Sequence, residues 1–188
     1  MSDRSDENLA ASVQRILSAA LFAAERHRGQ KRKGAAGEPY INHLIEVAEL
    51  VAGSSSTLDA NLVMAALLHD TVEDTSTTAE ELERRFGTDV TSLVLEVTDD
   101  KSLPQDVRKA LQVKNAPKKS VRAQTLKLAD KISNLKALLN SPPSDWSPQR
   151  KRQYFEWAHQ VVNGFTLPNQ QLKREFDKAY ARISEFRE

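Results

Sequence analysis

Apolar residues recur at helical spacing from the first turns of the chain. Leu9, Val13, Ile16, Leu17, Ala20, Leu21 and Ala24 fall three and four apart, which predicts a helix with one buried face, ending near Gly29. Gln30 to Glu38 has no apolar period and holds Gly34 and Gly37, so it reads as a loop. Pro39 suits the first turn of a second helix, from about Tyr40 to Val51. Beyond the break Gly53-Ser54-Ser55-Ser56, a third helix is predicted from Leu58 to Val72; its centre, LVMAALL, is apolar all round, the pattern of a helix enclosed by others. The polar stretch HDTVEDTSTT follows. Thr78 and Glu81 have capping-box spacing, and Gly87 can close the short helix between them. Further helices are predicted over Asp89 to Val97, around Val107 and Leu111, and over Val121 to Leu139, where Pro142-Pro143 stops the run. Two more follow, Ser147 to Val162 and Pro168 to Phe186. With no alternating strand pattern and no repeat, the expected fold is all-α, one domain over residues 1–188.

Composition narrows the chemistry more than the fold. With 27 Lys and Arg against 26 Asp and Glu, the formal charge is +1, which argues against a nucleic-acid coat or a strongly cationic membrane binder. Aromatics make up only 6% and are not interleaved with the lysines, which also disfavours a single-strand binder. The absence of cysteine excludes disulfides, thiolate metal sites and cysteine nucleophiles, so any metal must sit on His, Asp or Glu. No apolar run approaches the ~18 residues a bilayer span needs, and the N-terminus lacks a signal-peptide core. A soluble, cytoplasmic protein is expected.

Four features carry candidate chemistry. His69-Asp70 and Glu73-Asp74 stand where the apolar helix ends; on a continuous helix, His69 would lie above Glu73 and Asp70 above Asp74, although a solvated helix end would read the same way. Asp130 lies opposite the stripe Leu128, Ile132, Leu135, Leu139, beside Asn134, on a helix that is apolar on two sides. A carboxylate on that second side is costly unless paired or metal-bound. His43 stands in PYINH, next to the start of the second helix. Together, two imidazoles and two carboxylates from three helices form a mixed nitrogen and oxygen donor set for a borderline divalent ion; spacing does not choose among zinc, iron and manganese. Finally, Arg26, Arg28, Lys31, Arg32 and Lys33 crowd the segment before His43, as a solvated loop or, beside a metal, as a phosphate clamp.

The ordered stretches RHRGQKRKG, PYINH, AALLHDTVEDT, EVTDDKSLP, KLADKISNL and YFEWA, from Arg26 to about Ala158, resemble the HD phosphohydrolases. More narrowly, they resemble the hydrolase domain of the Rel/SpoT alarmone enzymes, and in particular the small stand-alone hydrolases that include the metazoan SpoT homologue. The resemblance implies a helical HD fold holding one Mn²⁺ through His43, His69, Asp70 and Asp130, with Glu73 and Asp74 acting on the attacking water. It implies that Arg32, Lys33 and Asn134 lie against the nucleotide and its phosphates, with further contacts from Lys101, Arg150 and Tyr154. The implied reaction removes the 3′-pyrophosphate of ppGpp or pppGpp, leaving GDP or GTP. Alternatives are a relative acting on (p)ppApp or on the 2′-phosphate of NADPH, and a nucleotide-binding protein without catalysis. Leu44 departs from the family pattern, which often has Pro after this histidine. The synthetase and regulatory domains of the long enzymes are not expected in a chain of 188 residues.

Overall fold

From Leu62 to Leu68 every residue is buried, and the other helices gather around this segment. The computed structural model describes residues 2–186, helical almost throughout. In chain order the helices are α1 (Ser2–Arg26), α2 (Ile41–Gly53), α3 (Ala60–Leu68), α4 (Thr71–Asp74) and α5 (Ala79–Phe86). They continue with α6 (Thr88–Val97), α7 (Gln105–Asn115), α8 (Val121–Asn140), α9 (Pro148–Asn163) and α10 (Gln170–Tyr180). Two 3₁₀ segments, Ala116–Lys118 and Ala181–Glu185, follow α7 and α10. Among the described residues the only β pairing is an isolated antiparallel bridge between Lys31 and Pro39.

Helix α3 packs against α1, α2, α6 and α8, and α8 in turn against α2, α6, α9 and α10, so these two helices run through the core. Their starts are fixed locally. Asp59 accepts from Leu62 N–H at 3.0 Å, and Ser120 accepts from Ala123 N–H at 3.2 Å. Such caps are worth ~1 kcal/mol each. Thr78 caps α5 as its spacing predicts, while Glu81 turns away to pair with Arg26. Gly87 closes α5 at φ +89°, a conformation that side chains rarely adopt.

Four expectations are corrected. The helix predicted from Leu58 to Val72 is two helices with His69-Asp70 between them. His69 Nδ1 donates to the Ala66 carbonyl at 2.8 Å and Thr71 Oγ1 to the Leu68 carbonyl at 2.6 Å. These side chains occupy carbonyls that a continuous helix would use. Asp70 still reaches Asp74 through the first turn of α4, Asp74 N–H donating to Asp70 O at 2.8 Å. In α1, the face turned inward is Ala19, Phe22 and Ala23, with Ile16 and Ala20 partly covered, whereas Leu9, Val13, Leu17 and Leu21 point outward. Periodicity placed two adjacent stripes three and four apart, and the smaller side chains allow the closer approach to α3. Lastly, Pro39 pairs with Lys31 rather than opening α2, and α10 stops at Tyr180, short of the predicted Phe186.

The Lys31–Pro39 bridge makes a basic strap. Arg32 N–H donates to Glu38 O at 2.8 Å and Tyr40 N–H to Gln30 O at 2.9 Å. The strap lies on the end of α8, where Ala36 N–H donates to Ser141 Oγ at 2.9 Å. At Gly34 an added Cβ would stand 2.3 Å from Ser141 O, so only glycine allows this approach.

Candidate active site

Helices α2, α3 and α8 and the turn after α3 bring His43, His69, Asp70 and Asp130 together. His43 Nε2 lies 3.4 Å from Asp130 Oδ1 and 3.7 Å from Asp70 Oδ2. His69 Nε2 lies 3.2 Å from Asp70 Oδ2 and 4.0 Å from Asp130 Oδ1. The donor atoms of His43, His69 and Asp130 fall within 4.8 Å of one another, all three residues being buried. Asp70 is also held by the Tyr40 hydroxyl at 2.6 Å, and Asp130 accepts from Asn134 Nδ2 at 2.6 Å and from Lys131 Nζ at 3.0 Å.

Burial alone would push the Asp130 carboxyl up, but Lys131 and His43 hold it well below the usual carboxylate range. Burial acts on Asp70 in the same direction, and the adjacent His69 overrides it downward. Burial would lower His69, but the Asp70 carboxylate beside it raises the imidazole to about 9. Burial dominates at His43 and lowers it. Two carboxylates and two imidazole nitrogens thus converge. His69 Nε2 is buried and finds no hydrogen-bond partner. An orphaned ring nitrogen aimed at two ionised carboxylates fits a divalent cation with mixed nitrogen and oxygen ligands.

The acidic pair faces a neighbouring loop. Glu73 Oε2 accepts from Asp99 N–H at 3.0 Å, and Arg108 NH1 lies 3.6 Å from Oε1. Burial pushes the Glu73 carboxyl up, against the opposing Asp99 N–H bond. Asp74 pairs with Lys101 and its carbonyl accepts from Gln30 Nε2 at 2.9 Å. Lys101, expected near substrate, is therefore the partner of an acidic residue here.

Beside the cluster a cleft of roughly 680 Å³ opens between the basic strap, α7, α8 and α9, a size suited to a nucleotide-sized ligand. Arg32, Lys33, Asn134, Arg150 and Tyr154 line it, as do Lys109, Trp146 and Gln153. Arg32 NH2 donates to Asn134 Oδ1 at 3.1 Å, and Arg150 stacks over Trp146 at 4.3 Å. Burial pushes the Tyr154 hydroxyl up, so it remains a donor. Lys109 sits over the rings of Trp157 at 5.0 Å and Tyr154 at 5.7 Å; burial, and next Arg150, lower its ammonium. An apolar depression on α1, between Leu9 and Leu21, holds no titratable side chain.

Sequence reasoning passed over Tyr40, Glu46, Lys109, Lys131, Ser133 and Trp146. A signal existed for two of them. Ser133 follows Asp130 by three residues and Glu46 follows His43 by three, the spacing that puts side chains on one helix face.

Residues 19–156 match the family model described as HD domain. The guanosine-3′,5′-bis(diphosphate) 3′-pyrophosphohydrolase MESH1 of Homo sapiens is 52% identical over 158 residues, 84% of this chain and 88% of that protein. The protein of the same name from Xenopus tropicalis is 48% identical over 165 residues, 88% of this chain and 92% of its own. A solved structure, described as a metazoan ortholog of SpoT that hydrolyzes ppGpp and plays a role in starvation responses, superposes with a TM-score of 0.86 at 43% identity. That superposition covers 89% of this chain and 94% of the solved one.

Proposed function

The chain belongs to the HD-domain family and, within it, to the small guanosine-3′,5′-bis(diphosphate) 3′-pyrophosphohydrolases, and from that premise we propose how it works and through which residues. The enzyme removes the 3′-pyrophosphate of ppGpp and pppGpp, giving GDP or GTP and pyrophosphate. The observation that carries this reading is the buried His43, His69, Asp130 cluster, its donor atoms within 4.8 Å of one another.

His43, His69, Asp70 and Asp130 are the proposed ligands, and Mn²⁺ is the proposed ion, in keeping with two imidazoles, two carboxylates and no thiolate. When bound, a divalent cation supplies a water of lowered pKa and neutralises charge on a phosphoryl oxygen. Glu73 takes the proton from the attacking water, a role supported by the burial that raises its carboxyl. Asp74 orients the same water, and Lys101 serves as its counter-charge. Arg32 and Lys33 neutralise the pyrophosphoryl group as the water oxygen bonds to its phosphorus and the bond to the 3′-oxygen breaks, that oxygen departing as the 3′-hydroxyl of GDP or GTP; Arg150 and the Tyr154 hydroxyl bind the remaining phosphates, and Asn134 steadies both Arg32 and Asp130. We propose that the chain acts as a single hydrolase domain in the cytoplasm. Among the described residues no helix is long and apolar enough to cross a membrane.

The test is a substrate panel with Mn²⁺: ppGpp, pppGpp, (p)ppApp and NADPH, products resolved by anion-exchange chromatography. Release of pyrophosphate and GDP from ppGpp at the highest kcat/KM is expected. Preferential release of phosphate from NADPH, or of pyrophosphate from (p)ppApp, overturns the guanosine assignment.

A further inference from the structure

Ser133 is fully buried on α8, one turn beyond Asp130, and three groups meet at its hydroxyl. It donates to Glu46 Oε2 at 2.7 Å, it lies 2.8 Å from His43 Nδ1, and it accepts from Arg32 NH1 at 3.3 Å. A hydroxyl has one hydrogen and two lone pairs. An ionised carboxylate cannot donate, so the one hydrogen goes to Glu46. Arg32 can only donate and takes one lone pair. His43 must then fill the other lone pair by donating from Nδ1. All three positions on the Ser133 oxygen are used, so Nδ1 carries a hydrogen and the neutral His43 ring has its lone pair on Nε2. Nε2 is the nitrogen that faces Asp130 at 3.4 Å and Asp70 at 3.7 Å.

The same node holds the strap. Arg32 reaches Ser133 with one nitrogen and Asn134 with the other, and its NH1 lies 3.6 Å from Glu46 Oε2. Asn134 in turn donates to Asp130 at 2.6 Å. The guanidinium assigned to the substrate phosphate is therefore docked on the residues that orient two candidate ligands.

Resting on the metal-site reading above, we propose that Ser133, held by Glu46, is a positioning residue that serves both halves of the active site. It fixes His43 with Nε2 free to bind the cation, and it anchors Arg32 for the pyrophosphoryl group. Groups of this kind behind a metal-bound imidazole typically govern about 10- to 100-fold in metal affinity.

The test compares wild type, Ser133→Ala and Glu46→Ala. Ring ¹⁵N shifts of His43 in the metal-free protein report the tautomer, calorimetric titration gives the Mn²⁺ Kd, and ppGpp kinetics separate KM from kcat. Wild type should show Nδ1–H alone. Ser133→Ala should mix the two tautomers, weaken Mn²⁺ at least about 10-fold and raise KM as Arg32 loses its anchor. Glu46→Ala, on a partly exposed side chain, tests the same point if Ser133→Ala fails to fold, because it frees the hydroxyl to donate to Nδ1 and should also produce the second tautomer. An unchanged tautomer and an Mn²⁺ Kd within about twofold in both variants overturn the proposal, and so does weakened metal binding with unchanged KM. A wild-type protein that binds no Mn²⁺ at all contradicts the metal-site reading instead, leaving the tautomer measurement to judge Ser133 on its own.

Discussion

Lys131 is the perturbation whose consequences the structure specifies most fully. Its side chain is buried, its Nζ lies 3.0 Å from Asp130 Oδ2, and it rests over the Trp157 ring at 4.5 Å. Of the groups that hold Asp130 below the usual carboxylate range, Lys131 acts most strongly. Lys131→Met keeps a similar volume against Trp157 and removes only the charge. Asp130 is then left ionised and buried, relying on Asn134, His43 and the more distant Lys127. Breaking a buried pair from one side costs about 3–5 kcal/mol. In a chain of 188 residues, at roughly 2–4 °C per kcal/mol, that lowers Tm by about 6–20 °C without metal. The sign of the pH dependence follows. A carboxyl whose pKa is depressed in the folded state stabilises the protein above its unfolded value of about 3.9, and the stabilisation is lost as the pH falls through the folded value. Without Lys131 that loss begins at higher pH. A divalent cation against Asp130 restores the missing positive charge, so the Tm deficit should shrink to less than half with saturating Mn²⁺. Circular-dichroism melts of wild type and Lys131→Met, with chelator and with Mn²⁺, measure all of this. A metal-free deficit below about 2 °C, or an equal deficit with and without Mn²⁺, would refute the reasoning.

Burial of Glu73 raises its carboxyl in the free enzyme, so the acid limb of kcat/KM should lie above 4.5, its ordinary value, with activity lost as the pH falls through it. Glu73→Gln should keep Mn²⁺ and lose about 10²–10⁴ in kcat, and a Gln variant that turns over normally removes Glu73 from the reaction. Gly34→Ala sets a Cβ against Ser141 O and displaces the strap, so KM for ppGpp should rise several-fold; Gly53→Ala, where a Cβ meets open space, is the control. Equal kinetics for the two variants would detach the strap from substrate binding. Leu68→Ala, in the fully buried turn before His69, should cost about 2–5 kcal/mol in urea unfolding. A loss below 1 kcal/mol would mean that α3 is not the packed centre of the fold.

Most helices are legible in the sequence because their apolar spacing and their caps agree: Ser120, Ser147 and Thr78 each accept from the first turn of the helix they begin. The break at His69-Asp70 was not, because competition by His69 Nδ1 and Thr71 Oγ1 for helix carbonyls leaves no mark in hydrophobic spacing. Nor was the true inner face of α1, where Ala19 and Ala23 take the contact while larger leucines stay outside. Residue types and ordered motifs were enough to single out His43, His69, Asp70 and Asp130, and the structure brings all four together. Ser133, Glu46 and Lys131 escaped notice because their importance lies in which atoms they touch, and α8 is so thoroughly buried that periodicity cannot rank its polar positions.

The central claim is that one divalent ion, held by His43, His69, Asp70 and Asp130, is what ppGpp hydrolysis requires. Titrating metal-stripped protein with Mn²⁺ while following bound ion by paramagnetic resonance and turnover of ppGpp in the same samples tests it directly. Turnover should rise in proportion to bound Mn²⁺ and saturate at about one ion per chain, the number an open catalytic site with these ligands holds, and Asp130→Ala should show neither binding nor turnover. Full turnover in the stripped protein, or normal binding and hydrolysis by Asp130→Ala, would contradict the account.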